Sequence, residues 1–263
     1  MAHEEATRWT LRGKKALVTG GTRGIGAAVA AEMCALGAEV FVVARSAADI
    51  HARVDEWSAR GWRAGGMACD VADARERETL IAHVAKRWGK LDILVNNAGT
   101  NIRKPTVGYT AEESDLILRT NLDSAFDLCR RSYALLKSAP GGSIVNVASV
   151  GGLTALGTGT PYAMSKAALL QMTRALAAEW GADGIRVNAV APWYIRTPLA
   201  EPVLRRADYL GAVLARTPLR RVGEPEEIAA AVAFLAMDAA SYITGACLPV
   251  DGGFLACGFT PPA

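Results

Sequence analysis

The chain has 263 residues, 51% of them hydrophobic and 21% charged, enough apolar material for one sizeable α/β core and an ordinary balance for a globular protein. A formal net charge of +3, scattered rather than gathered into a stripe, excludes nucleic acid as an expected partner. The apolar runs are short and interrupted, far below the ~20 residues of a spanning helix, so no membrane association is expected.

Residues 1–10 read as a flexible polar lead-in, unlike a secretory signal or an Arg/Ser-rich transit peptide, and residues 11–263 read as a single domain. Cysteines 34, 69, 129, 247 and 257 form no CxxC pair and suggest reduced thiols, hence a cytoplasmic protein. His3, His51 and His83 lack metal-ligand spacing, which argues against a zinc site or a Ser/His/Asp triad.

In chain order, the apolar run Ala16–Thr19 leads into Gly20-Gly-Thr-Arg-Gly-Ile-Gly26, followed by helical composition to Leu36 and a closing Gly37. A strand, glycine turn and helix allow backbone to approach a pyrophosphate at a helix amino terminus, where free N–H groups and the helix dipole favour negative charge. Gly20, Thr22, Arg23, Gly24, Ile25 and Gly26 are therefore candidate cofactor residues. A second strand over Glu39–Ala44 strengthens the dinucleotide reading, and its end carries Arg45 where an NAD site would place a carboxylate. Arg23 and Arg45 together suit a 2′-phosphate and favour NADPH, although two solvated surface arginines would look the same.

A polar helix is predicted over 47–62 and a strand over 63–69, followed by Asp70 and Val71. Asp70 on this pattern alone could cap the helix that begins near Asp73. A fourth strand, Leu91–Val95, precedes Asn96-Asn-Ala-Gly99, and the β–α alternation predicts a parallel, doubly wound sheet. A helix is expected over about 111–136, with Asn121 inside it. Ser143–Ala148 reads as a buried strand ending at Ser149, and Ile185–Val190 as the next strand, followed by Ala191-Pro-Trp-Tyr-Ile-Arg-Thr197. Residues 193–222, rich in Leu and Arg, are a candidate substrate lid, and a helix and last strand follow.

The stretch between Ser149 and Lys166 carries the reactive pattern. Tyr162 and Lys166 lie four apart and share a helix face, and the glycine-rich link lets Ser149 fold back toward them. A phenol titrates near about 10, and a neighbouring ammonium should lower that value toward neutral-pH proton transfer. The Tyr/Lys pair alone fits an amphipathic surface equally well.

The spacing Thr19-Gly20-xxx-Gly24-x-Gly26, the NNAG run and the order Asn121, Ser149, Tyr162, Lys166 together resemble the classical short-chain dehydrogenases/reductases from about Leu11 to Gly253. AGTNIRKPT, APWYIRTPL and RVGEPEEI are most similar to the tropinone reductase-like proteins of the plant lineage. The resemblance implies a Rossmann-type sheet of about seven strands and an NADPH-dependent reduction of a ketone. In it Tyr162 protonates the oxygen, Ser149 polarises it, Lys166 bonds the ribose and tunes the tyrosine, and Asn121 interrupts its helix to hold a water. It also implies adenine contacts from Asp70 and Val71, support at the adenosine ribose from Asn97, Ala98 and Gly99, and nicotinamide contacts from Pro192, Ile195 and Thr197. Trp193 stands where the family usually has glycine, which should narrow the pocket.

Candidate substrate residues are Arg103, Val150, Trp193 and Leu199. Since Ser149–Thr160 contains no acid and Arg103 is cationic, the substrate is expected to be a neutral or anionic ketone rather than the cationic amine tropinone. An alternative within the same motifs is a 3-oxoacyl-[acyl-carrier-protein] reductase, with Arg205, Arg206, Arg220 and Arg221 meeting the carrier. A non-catalytic NADP(H)-binding sensor or scaffold is the alternative of another class. Apolar residues in excess on the helices around 111–136 and 162–180 suggest, with the resemblance, a homodimer or homotetramer.

Overall fold

A computed structural model describes residues 8–258. Seven strands form: β1 (Lys15–Thr19), β2 (Glu39–Ala44), β3 (Ala64–Ala68), β4 (Ile93–Asn96), β5 (Ser143–Val147), β6 (Arg186–Pro192) and β7 (Cys247–Val250), with β-branched residues concentrated in β2 and β5 and none in β3. They form one sheet in the order β3-β2-β1-β4-β5-β6-β7, with every neighbouring pair parallel. β4, β5 and β6 are buried at every residue, as strands covered by helices on both faces must be.

The helices are α1 (Gly24–Ala35), α2 (Ala47–Ala59), α3 (Ala74–Trp88), α4 (Ala111–Leu118), α5 (Ser124–Lys137), α6 (Thr160–Trp180), α7 (Glu201–Leu204), α8 (Ala207–Ala215) and α9 (Pro225–Ala236). α1, α2 and α9 bury Val29, Met33, Trp57 and Val232 against one face of the sheet. α3, α5 and α6 bury Leu80, Val84, Leu128 and Leu176 against the other. Because β4 returns beside β1 rather than beyond β3, the connections leaving β1 and β4 diverge to opposite faces. A crevice opens there, at the carboxyl ends of the strands.

Three local features refine the expected elements. The predicted single helix over 111–136 is broken by a π-turn, Arg119–Asp123, between α4 and α5. Asn121 sets this wide turn: its Oδ1 accepts from Thr100 N at 2.8 Å, and its Nδ2 donates to Thr100 O at 2.9 Å and Ser165 Oγ at 3.1 Å. Asp73, not Asp70, caps α3, accepting from Arg75 N at 2.7 Å and Glu76 N at 3.0 Å. Asp70 instead accepts from Ala72 N at 2.9 Å and its own N–H donates to Glu76 Oε2, a local turn that leaves it at the strand end.

Candidate active site

The glycine turn and the NNAG run are tied together across the crevice. The Thr19 hydroxyl accepts from Asn97 N at 2.9 Å and Ala98 N at 3.0 Å, while Asn97 Nδ2 donates to Thr19 O at 2.8 Å. Gly20 sits at φ +65°, and a Cβ there would lie 2.9 Å from Asn97 Nδ2, so a side chain would pry the two loops apart. A Cβ on Gly26 would lie 2.2 Å from Gly20 O. Gly26 therefore serves close helix-to-turn packing and, contrary to expectation, is not on the cleft wall. α1 begins without a side-chain cap and without an acid in its first turn, which leaves its amino-terminal N–H groups to the cleft and any anion in it.

The cleft holds about 1050 Å³, at the upper end of ligand sites and roomy enough for a dinucleotide beside a small substrate. Thr22, Arg23, Gly24, Ile25, Arg45, Asp70, Val71, Asn97, Ala98, Gly99, Pro192, Ile195 and Thr197 all line it. Arg23 and Arg45 are exposed at its rim, as a 2′-phosphate site requires. One carboxylate of the same rim escaped notice in the sequence: Asp49, in the first turn of α2, where Ser46 Oγ accepts from Asp49 N at 3.2 Å.

The residues predicted to carry the chemistry converge beyond the dinucleotide end. Ser149 follows β5 and accepts from Gly151 N at 3.1 Å, which starts a tight turn and holds the hydroxyl toward the cleft. Tyr162 and Lys166 lie one turn apart on α6, and the Tyr162 phenol lines the cleft with Ser149, close enough for the serine to favour its ionised form. Lys166, 4% exposed, donates to Val147 O at 2.8 Å, and its Nζ stands 5.7 Å from the centroid of the Tyr162 ring. Asn121 lies behind rather than on the wall. A Cβ on Gly99 would be 3.4 Å from Asn121 Oδ1 and 3.6 Å from Lys166 Nζ, so glycine there keeps the space between cleft and lysine open.

The titration of the pair differs from the sequence expectation. Burial pushes the Tyr162 phenol above its ordinary value, outweighing the Ser149 hydrogen bond and the Arg103 charge, which both pull it down. Burial also lowers the Lys166 ammonium, to about 8. Desolvation disfavours the charged form of each, so it outweighs the acidification expected from a neighbouring cation. A protonated phenol at neutral pH is the state a proton donor needs.

Arg103, Trp193 and Leu199 line the far half of the cleft, but Val150 does not: it is 1% exposed and buried under the turn that Ser149 begins. Arg103 Nη1 donates to Leu199 O at 3.3 Å, linking the loop after β4 to the lid segment. Trp193 stacks on Phe254 with ring centroids 3.8 Å apart and donates from Nε1 to Thr217 Oγ1 at 3.1 Å. Tyr194 and Tyr209 hydrogen-bond through their hydroxyls across the lid. Sequence reasoning missed Asn101, Tyr194, Tyr209, Arg216 and Phe254 in this wall. Phe254 follows the last strand and has no motif, whereas the Tyr194–Tyr209 pair becomes visible only when the lid folds.

A crevice at the switch point of a doubly wound sheet, with an uncapped helix and glycine turn at one end and a Ser–Tyr–Lys cluster at the other, defines a nucleotide-dependent oxidoreductase. The chain belongs to the short-chain dehydrogenase/reductase family: residues 20–255 match the family model described as enoyl-(acyl carrier protein) reductase. It is 50% identical over 258 residues to a tropinone reductase homolog of Arabidopsis thaliana, covering 98% of each chain. It is 49% identical over 255 residues to another from the same plant, described as chloroplastic, covering 97% of this chain and 79% of that one. A gluconate 5-dehydrogenase of Burkholderia cenocepacia, crystallised with NADP and tartrate, superposes with a TM-score of 0.93 at 31% identity, covering 97% of this chain and 100% of that one.

Proposed function

We propose that the protein is an NADPH-dependent carbonyl reductase of the tropinone reductase-like type, acting on a neutral or anionic ketone rather than on tropinone. The single observation that carries the reading is the convergence of Ser149 and the Tyr162 phenol on one cleft above a buried Lys166, the same cleft as the uncapped α1 terminus and the two rim arginines. NADPH, when bound, supplies the hydride. Ser149 orients and polarises the ketone oxygen, and Tyr162 Oη gives that oxygen its proton, a transfer worth about 10²–10⁴ in rate for a well-placed acid. Lys166 holds positive charge beneath the phenol as its proton leaves, and its other partners are the cofactor ribose and, through Asn121, a path to solvent. Arg23 and Arg45 hold the 2′-phosphate.

Charge supports the choice of substrate: among the described residues no acid lines the far half of the cleft, where Arg103 stands, so a cationic amine ketone would meet repulsion without a counter-ion. Of the arginines that an acyl carrier would have to meet, Arg205, Arg206 and Arg221 are each paired with an acid on their own segment, which favours the small-molecule reading. The protein is further proposed to be a cytoplasmic homodimer or homotetramer built on α4 to α6, where Leu116 and Phe126 are 43% and 51% exposed. Among the described residues no helix is long and apolar enough to cross a membrane.

The test is a panel of neutral, anionic and amine ketones scored by NADPH consumption, with NADH in parallel. Turnover of neutral or acidic ketones with NADPH preferred is expected. Faster turnover of tropinone than of every other ketone would overturn the substrate assignment, and NADPH binding without any turnover would return the non-catalytic sensor.

A further inference from the structure

The two halves of the cleft differ in charge. At the dinucleotide end the wall contains the carboxylates Asp49 and Asp70 beside Arg23 and Arg45. Beyond Ser149 and Tyr162 the wall contains Arg103 and Arg216 and, among the described residues, no Asp or Glu. Four of their arginine neighbours on the lid segment are compensated, Arg196 by Glu224 at 3.1 Å, Arg205 by Glu201 at 3.0 Å, Arg206 by Asp208 at 2.8 Å and Arg221 by Glu227 at 2.5 Å, while Arg220, without an ion pair among the described residues, lies off the cleft wall. Arg103 and Arg216, the two that face the cleft, form no ion pair among the described residues.

Each is held in place by something other than an acid. Arg216, exposed at the carboxyl end of α8, lies over the Phe254 ring at 5.7 Å from its centroid, and that ring is itself stacked on Trp193. The ring supports the guanidinium without satisfying its N–H groups. Arg103 is half-buried, gives one N–H to Leu199 O, and shares the cleft wall with the Tyr194 phenol. A guanidinium has five N–H donors in a planar fork suited to a carboxylate, so both retain donors for a ligand. Two uncompensated cations flanking one cavity raise a positive potential in it, which an anionic ligand would relieve.

We propose that the ketone reduced here is an oxo acid, whose carboxylate is drawn to the mouth by Arg216 and bound within by Arg103 while its carbonyl reaches Ser149 and Tyr162. This rests on the ketone-reductase reading and narrows it to one substrate class. Arg103 and Arg216 have different parts. The exposed Arg216 acts mainly on encounter, through a field that salt screens over about 10 Å at 0.1 M. The half-buried Arg103 makes charge-assisted hydrogen bonds that salt weakens less.

The experiment compares kcat/KM with NADPH for a series of oxo acids and their methyl esters, at low salt and at about 0.3 M salt, for the full-length protein and for Arg103→Gln and Arg216→Gln. Binding of the matching saturated carboxylic acids and esters, which cannot be reduced, is measured in parallel by calorimetry in the presence of NADP. The acid should exceed its ester by at least about tenfold, the scale of one charge-assisted hydrogen bond. Arg103→Gln should bring the ratio near one at about 0.3 M salt and leave only a small, salt-dependent preference for the acid at low salt, and Arg216→Gln should remove the salt dependence of the ratio. If ketones are reduced with acid and ester equal and both variants leave the ratio unchanged, the oxo-acid assignment falls while the reductase reading stands. If no ketone is reduced but the saturated acid binds and Arg103→Gln abolishes binding, the anion site stands and the reductase reading falls. If no ketone is reduced and no acid binds, both fall.

Discussion

Replacing Lys166 by methionine separates what the lysine costs the fold from what it gives the site. The side chain is 4% exposed and its one hydrogen bond among the described residues goes to Val147 O, so in the folded chain its charge is largely desolvated. The drop from an ordinary 10.5 to about 8, at 1.36 kcal/mol per pH unit, corresponds to roughly 3 kcal/mol of folding stability lost to keeping the ammonium charged. Methionine fills similar space without the charge, and forfeits one hydrogen bond to a backbone carbonyl, about 1.5–3 kcal/mol for a charged donor. At pH 7 the variant should therefore be more stable than the wild type by up to about 1.5 kcal/mol, and nearly inactive.

The pH dependence follows in sign. Below about pH 8 the lysine is protonated both folded and unfolded, and the full penalty applies. Between about 8 and 10.5 the unfolded chain binds the proton and the folded one does not, so wild-type stability rises with pH and the variant's advantage disappears. Urea unfolding of both proteins from pH 6 to above pH 10, without nucleotide, measures the difference. An advantage that does not change with pH, or a variant that is less stable throughout, would refute the reasoning.

Three further outcomes follow from named contacts. Arg45→Ala should raise the KM for NADPH at least about tenfold and leave that for NADH within about twofold, since one charged hydrogen-bond partner of a phosphate is lost; equal effects on the two nucleotides would remove the 2′-phosphate assignment. Trp193→Gly deletes the stack on Phe254 and the bond to Thr217, and should open the far half of the cleft: bulky ketones should gain in kcat/KM while the melting temperature falls. Asp127→Ala should cost about 3–5 kcal/mol in urea unfolding at pH 7, because it strands the buried Arg77, which Asp127 accepts from at 2.7 Å. Burial alone would raise the Asp127 carboxyl, but hydrogen bonds from Arg77, Arg131 and Arg130 hold it at about 2, so this stability should be lost only as pH falls from about 3.8 toward 2.

Much of the fold was legible because the signals were local and agreed with one another. Strand-like runs such as Glu39–Ala44 alternate with helical segments, and Gly37, at φ +95°, ends α1 where it was expected. The resemblance, with the spacing of Asn121, Ser149, Tyr162 and Lys166, anticipated that they converge: Ser149 follows the end of β5, Tyr162 and Lys166 share a face of α6, and the π-turn carries Asn121 behind them. Residues whose placement depends on long-range closure were not legible. Val150 looked like pocket because it adjoins Ser149, yet the turn that aims the serine outward turns the valine inward. Gly26 looked like a contact because it belongs to the motif, yet its space is taken by Gly20 O. The titration of Tyr162 was misjudged because adjacency to Lys166 is written in the sequence, whereas the burial that opposes it is a property of the closed cleft.

The central claim is that the Tyr162 hydroxyl delivers the proton that completes hydride addition to a ketone in this cleft. It is tested most directly by supplying NADPH deuterated at the transferred position with a ketone that the protein turns over, for the wild type and for Tyr162→Phe. Mass spectrometry should find one deuterium on the carbinol carbon of the wild-type product, while the variant binds NADPH with a Kd within a few-fold of wild type and forms product at least about 10² times more slowly. Product formed at an undiminished rate by the variant, or wild-type alcohol without deuterium, would contradict the account.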